Sequence, residues 1–282
     1  MEKIKAYLNK KIVIACHDAG GADAITSWLF YKKISKIKFI LKGPAKKIFR
    51  DRLGKFKKEK IANIKNYNLL ITGTSHSNSL EIESIKHAKK NNVFSISFLD
   101  HWVNYKKRFN RNRKNHYPNE IIVLDKAALK IARNSFKQIQ ISLIPDYRKL
   151  FFLRQYKKQK TNLIKNSFLY FSSNYDKIYG KNYDKKILIN FIKKNKLYLR
   201  NSKIFIRNHP SEKKNKFKKF IDNKTIFYDT SKNLFECISR YQSFFGSNSM
   251  ALVYAHYTKK KIFNVDLKKN DQIPRYFFKK IL

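Results

Sequence analysis

Acidic residues are scarce: 19 Asp and Glu stand against 64 Lys and Arg in 282 residues, a formal net charge of +45. Such a balance suits nucleic acid, an anionic membrane surface or an acidic sugar polymer. The excess is spread along the whole chain, however, with Lys, Asn and Ile all abundant, as A/T-biased codons would supply. A nucleic-acid footprint should cluster on one face, so nucleic acid is set aside as a partner. Cysteine is nearly absent too. Cys16 and Cys237 are far apart and sit in apolar segments, which excludes a disulfide framework and predicts two buried thiols in a reducing, cytoplasmic setting. No signal-peptide core opens the chain, and no run reaches the roughly 18 to 20 apolar residues of a membrane span.

Chemical signatures are missing as well. The seven histidines never take a metal-ligand spacing with cysteines or acids, there is no HExxH, and adjacent Cys16 and His17 on a strand point to opposite faces. Metal is therefore not expected. The chain has no GxSxG elbow, no Walker A sequence and no GxGxxG fingerprint, which argues against common hydrolases, P-loop enzymes and a nicotinamide cofactor. No cofactor is expected.

What is present is a regular alternation. Hydrophobic residues make up 43% of the chain, ample for two cores. Short β-branched and aromatic runs at Ile12–Cys16, Ile37–Leu41, Leu69–Thr72, Val93–Phe98, Ile121–Leu124 and Ile139–Leu143 read as strands separated by helices. Pro145 and the charged stretch Asp146–Lys160 interrupt the pattern. It restarts with Phe168–Ser172, Lys203–Arg207, Thr225–Tyr228, Ser243–Phe245 and Lys261–Val265. This predicts an α/β protein of two Rossmann-like domains, residues 1–150 and 151–282, joined near 145–162, with parallel sheets facing a cleft. The basic segment Asn104–Asn115 is polar enough to be an exposed loop.

Four of the seven glycines, Gly20, Gly21, Gly73 and Gly246, fall just beyond predicted strand ends, where βα turns line a ligand crevice. The polar groups gather at the same places. In Ile204–Phe217 a strand ends in Arg207, Asn208, His209 and Pro210 before a predicted basic helix, bringing a cation and an imidazole to a helix N-terminus. A second turn, Gly246-Ser247-Asn248-Ser249, opens an apolar helix running to about His256 and suits phosphate; Ser and Asn there also serve as plain helix caps. In the first half, Ile12–Cys16 runs into His17 and Asp18 beside a glycine turn, an acid/base pair at a strand end. Asp18 as a helix cap and His17 as strand-end filler is the other reading. Thr74, Ser75, His76 and Ser77 follow the third strand, and Asp100, His101 and Trp102 the fourth. These could line a sugar-sized pocket, with Trp102 either stacking on a sugar face or anchoring its loop.

Residues 165–266 resemble the nucleotide-binding domain of GT-B glycosyltransferases, in particular bacterial sialyltransferase, polysialyltransferase and capsule-type enzymes with an HP dipeptide and a downstream serine motif. Here these are His209-Pro210 and Ser247-Asn248-Ser249. Teichoic-acid-type glycerophosphotransferases share these motifs, and UDP-N-acetylglucosamine 2-epimerases share the two-domain fold. The resemblance implies that His209 and the serine turn meet the donor phosphate, and that a carboxylate near the first strand, matched by Asp18, is the base. The acid that many such enzymes carry near the end of the serine-motif helix, for the donor ribose, is replaced by Tyr254 and Ala255.

The sequence thus leads to a metal-independent glycosyltransferase. Asp18 or His17 takes the acceptor proton, while Arg207, His209, Ser247, Asn248 and Ser249 neutralise the leaving phosphate. The partners expected are a nucleotide-sugar donor and a surface-polysaccharide or lipid-linked glycan acceptor, with peripheral contact at an anionic membrane face. The alternatives are a nucleotide-sugar 2-epimerase-like enzyme, a glycerophosphotransferase, and a non-catalytic nucleic-acid- or acidic-polymer-binding protein.

Overall fold

A computed structural model describes residues 10–34, 36–75, 78–173, 175–197, 199–210, 212–213, 215–247, 249–265 and 273–274. The chain divides into two compact units, Met1–Leu150 and Phe151–Leu282.

The first unit holds a six-stranded parallel sheet. Its strands are β1 (Ile12–Cys16), β2 (Ile37–Leu41), β3 (Leu69–Thr72), β4 (Phe94–Phe98), β5 (Glu120–Val123) and β6 (Gln140–Leu143), in spatial order β2-β1-β3-β4-β5-β6. Between them run α1 (Ala19–Lys32), α2 (Ala45–Leu53), α3 (Leu80–Lys90) and α4 (Lys126–Ser135). All five residues of β1 are buried, as a central parallel strand covered on both faces requires. Ile12, Ile14 and Cys16 join Trp28, Phe39, Phe49 and Phe98 in one core cluster. The strand order reverses between β1 and β3, and polar turns at the carboxyl ends of those strands are where open α/β sheets seat ligands.

After α5 (Tyr147–Tyr156) the second unit builds a five-stranded parallel sheet. It comprises β7 (Ile164–Phe171), β8 (Lys203–Arg207), β9 (Ile226–Tyr228), β10 (Tyr241–Gly246) and β11 (Lys261–Asn264), in order β9-β8-β7-β10-β11. Helices α6 (Asp176–Tyr179), α7 (Tyr183–Lys194), α8 (Leu234–Arg240) and α9 (Met250–Tyr257) connect them. The two-residue period of a strand sorts the core. Phe168 and Tyr170 face the α7 side with Ile187 and Phe191, while Leu169 and Phe171 face the α8 and α9 side with Cys237 and Leu252. Here the order reverses between β7 and β10. Both cysteines are free and buried.

Three segments differ from their sequence reading. The charged stretch after Pro145 is helix α5, because Phe151 and Phe152 within it are 7% and 3% exposed and need a surface to cover them. The loop Asn104–Asn115 is exposed only in part. Lys106, Lys107, Arg113 and Lys114 reach solvent, but Tyr105 and Phe109 are buried, and Asn110–Arg111 pairs with Lys114–Asn115 as a small antiparallel hairpin. No α-helix begins at Pro210. Between Pro210 and β9 the described residues form only a single 3₁₀ turn, Lys218–Phe220, and side-chain bonds hold described residues before it. Asn208 donates to the Lys213 carbonyl at 3.0 Å, and Glu212 accepts the His209 N–H at 2.9 Å.

Candidate functional site

In the first unit the site is built where β1 and β3 part. The N-cap position of α1 belongs to Asp18, yet its side chain makes no cap bond. It turns to His17 instead, with Nδ1 2.6 Å from Asp18 Oδ1. Pairing with the carboxylate leaves Nδ1 carrying the proton and Nε2 the free acceptor, the arrangement of a base oriented by an acid. The ring lies against Gly43, where a Cβ would meet Nε2 at 2.5 Å, and Gly43 has φ +50°. Both side chains of the pair retain exposure, 19% for His17 and 31% for Asp18.

The glycines serve close approach. A Cβ on Gly21 would fall 2.9 Å from the Gly73 Cα, so the turns after β1 and β3 touch backbone to backbone. Gly20 admits the Asp100 carboxylate, whose Oδ2 would lie 1.8 Å from a Cβ there. Asp100 in turn is fixed by Arg108, which donates to Oδ1 at 2.9 Å and to Thr74 Oγ1 at 3.1 Å. Arg148, 4% exposed, donates to the Asp100 carbonyl at 2.9 Å. Thr74 and Ser75 are buried, and Ser75 Oγ accepts the Asn78 N–H at 3.0 Å. His76 and Ser77 lie outside the described residues.

His101 and Trp102 close this end. Burial, with Arg108 and Arg148 nearby, pushes the His101 imidazole down to about 4 although Asp100 opposes them. Its Nδ1 accepts the Trp102 N–H at 3.0 Å, so the neutral ring keeps its proton on Nε2 and is poorly placed to act as a base. Trp102 is 5% exposed and donates through Nε1 to Asp125 Oδ2 at 2.8 Å, while Asp125 Oδ1 caps α4. Of its two readings, loop anchor is the one this position supports.

Glu81, unremarked in the sequence, lies beneath the pair. It is 3% exposed, in the first turn of α3, and its Oε1 accepts the His17 N–H at 2.7 Å. Burial pushes its carboxyl up to about 7 against the lowering effect of that bond.

The second unit gathers its polar groups where β7 and β10 part. Ser173 donates through Oγ to the Ser247 carbonyl at 2.6 Å, tying the two strand ends together. Gly246 is required because a Cβ would meet the Phe171 carbonyl at 2.7 Å. Ser249 is the N-cap of α9, its Oγ accepting the Ala251 N–H at 3.3 Å. Ser247 is 1% exposed, and its Oγ finds no hydrogen-bond partner among the described residues. A buried hydroxyl left this way beside a helix N-terminus has hydrogen-bonding capacity to spare, which a water or a ligand can take up. Asn248 lies outside the described residues.

His209 is exposed, two residues beyond β8. Its loop is held by Glu212, which accepts Ser172 Oγ at 2.9 Å and pairs with Lys216. Lys216 also meets Asp184 at 2.6 Å and Asp176 at 3.2 Å. Arg207 is differently employed. Its guanidinium pairs with Asp229, whose side chain is 0% exposed, and donates to the Ser231 carbonyl at 3.0 Å, so its charge is matched within the unit. Tyr254 stacks on Phe152 with ring centroids 4.6 Å apart.

No protein-family model and no curated protein matches the sequence. Solved structures do match. The UDP-GlcNAc 2-epimerase of Methanocaldococcus jannaschii, in complex with UDP-GlcNAc and UDP, gives a TM-score of 0.65 at 12% identity, over 89% of this chain and 83% of that one. A glycotransferase of kitacinnamycin gives 0.56 at 8% identity, over 94% and 82%. The fold is GT-B. The wall teichoic acid polymerase TagF, as its H444N variant, gives 0.50 at 14% identity, over 94% and 72%. At these identities GT-B is a statement about architecture. The narrower likeness to sialyl- and polysialyltransferases expected from the sequence is not shown by these matches. Among the described residues no helix is long and apolar enough to cross a membrane.

Proposed function

We propose that the protein is a GT-B-type glycosyltransferase that moves a sugar from a nucleotide donor to a surface-polysaccharide or lipid-linked glycan acceptor. The observation that carries this is that each unit has its own polar constellation at the strand-order reversal of its sheet: an imidazole–carboxylate pair after β1, and a buried serine hydroxyl without a partner among the described residues, beside a helix N-terminus, after β10. The first suits removal of a proton and the second suits a phosphate.

In this reading the first unit takes the acceptor and the second the donor. His17 Nε2, with Asp18 holding Nδ1, accepts the proton of the attacking hydroxyl; the Ser247 hydroxyl, the N-terminus of α9 and His209 meet the charge that grows on the leaving phosphate. Asn248, between Ser247 and Ser249 in the sequence, is assigned to the same phosphate in this proposal. Arg207 contributes by holding the end of β8 rather than by free charge. The exposed Lys106, Lys107, Arg113 and Lys114 of Asn104–Asn115 suit an anionic glycan or a peripheral anionic membrane face.

A second reading has a specific observation behind it. The M. jannaschii structure is an epimerase and matches with a higher TM-score than the glycotransferase. An epimerase needs one nucleotide sugar and no acceptor. Incubation with each candidate donor, with and without oligosaccharide acceptor, followed by mass spectrometry and NMR of the products, separates the two. An elongated glycan formed only with acceptor supports transfer; an isomerised nucleotide sugar formed without acceptor supports epimerisation and overturns it.

A further inference from the structure

We propose that Glu81 is the positioning residue of the His17–Asp18 pair, its carboxyl gripping the His17 N–H from inside the first unit and fixing the turn that presents the imidazole. The proposal rests on reading that pair as the acid/base pair of the reaction.

Three observations carry it. The clamp is long-range in sequence, joining the first turn of α3 to the end of β1 at 2.7 Å across 64 positions. It is sheltered: Glu81 is 3% exposed, with Leu80, Ile82 and Ile85 buried around it. The other oxygen, Oε2, finds no hydrogen-bond partner among the described residues. A glutamine would accept the same N–H bond without the cost of burying an ionisable carboxyl. The carboxyl sits directly on the backbone N–H of the residue that carries the imidazole. The charged and titratable groups around it are Cys16, the His17 ring and Asp18 on the β1 turn, and Asp100 beyond them with its partner Arg108. Burial places the Glu81 titration near neutral pH, where the clamp passes from neutral acceptor to charged acceptor.

The His17 amide reports this without any substrate. With histidine-selective nitrogen labelling of the full chain, seven histidine amides are observed and His17→Ala assigns the one required. In the wild type this amide proton is expected to be protected from exchange and to move downfield as pH rises through about 7, because a carboxylate is the stronger acceptor. In Glu81→Gln the protection stays and that downfield movement is lost. In Glu81→Leu exchange becomes about tenfold faster or more, the loss of one hydrogen bond. A wild-type His17 amide that exchanges freely or shows no movement near pH 7 overturns the proposal, even if no Glu81 variant folds. So does a Glu81→Gln profile that superposes on the wild type.

With an active donor and acceptor, Glu81→Leu, which removes the clamp, lowers kcat by roughly tenfold with the donor KM unchanged, and Glu81→Gln, which keeps it, recovers most of that loss. A Glu81→Leu enzyme with wild-type kcat also overturns the positioning role. A chain that transfers no sugar refutes the transferase reading alone, and the amide measurement still decides the clamp.

Discussion

His17 Nδ1 stands 2.6 Å from Asp18 Oδ1, although the two residues are neighbours in sequence and Asp18 occupies the N-cap position of α1. A capping aspartate would accept a backbone N–H of the first helical turn; this one orients an imidazole. The sequence reading made Asp18 the base and His17 its substitute. The function proposed here uses the reverse division, with His17 accepting the proton and Asp18 fixing the tautomer.

Asp18→Asn is accordingly expected to lower transfer by about 10²-fold or more while leaving donor binding intact. His17→Ala should do the same, and the double variant should be little worse than either, because two residues acting as one unit do not add. Single-turnover rates with donor-binding isotherms check this. Normal turnover in Asp18→Asn removes the pair from the chemistry.

In the second unit, Ser247→Ala should leave the stability of the free protein within about 0.5 kcal/mol of the wild type, since its hydroxyl satisfies no partner there. Donor affinity should nonetheless fall, by roughly tenfold for one lost hydrogen bond. His209→Ala should also weaken donor binding. Urea denaturation alongside calorimetric titration separates the two effects.

Lys216 should be indispensable for stability rather than for chemistry. It is the cation among Asp176, Asp184 and Glu212, and the Asp184 side chain is 0% exposed. Lys216→Met leaves a buried carboxylate without its cation and should cost about 3–5 kcal/mol. The midpoint of urea denaturation measures it.

Glu81 makes a pH prediction. Its folded carboxyl is pushed up to about 7 from an ordinary value of 4.5, so the folded state holds a proton that the unfolded state releases. Stability from this group is complete below about 4.5 and is lost as pH rises through about 7, a loss of about 3 kcal/mol. Compared at pH 5 and pH 8, the wild type should lose that much more stability than Glu81→Gln, which shares every other titration.

The strands were largely legible because a buried parallel strand is an uninterrupted apolar run, as in Ile12–Cys16, and glycines mark the turns beyond them. Side-chain commitments were not legible. Arg207 reads as a free cation until Asp229, 22 positions away, is folded against it. Glu81 reads as an ordinary acid in a first helical turn, where the helix dipole favours one, and nothing local shows that it reaches back 64 positions. The segment after Pro210 misled for the opposite reason. Proline and a run of lysines promise a helix, but bonds from Asn208, Glu212 and Lys216 hold another conformation. The stretch after Pro145 read as an interruption because its charges outnumber its aromatics, yet two buried phenylalanines make it α5.

The central claim is that the second unit holds a nucleotide-sugar phosphate at Ser247 and the N-terminus of α9. The most direct measurement is the thermal shift of the full chain against CMP-, UDP-, GDP- and CDP-linked compounds, in the wild type and in Ser247→Ala. Saturation at about 100-fold over Kd stabilises by roughly 2.7 kcal/mol, a rise of several degrees. One class of compound should give that rise in the wild type, with its midpoint displaced to higher concentration in Ser247→Ala. No shift with any compound, or identical titrations in both proteins, would contradict the claim.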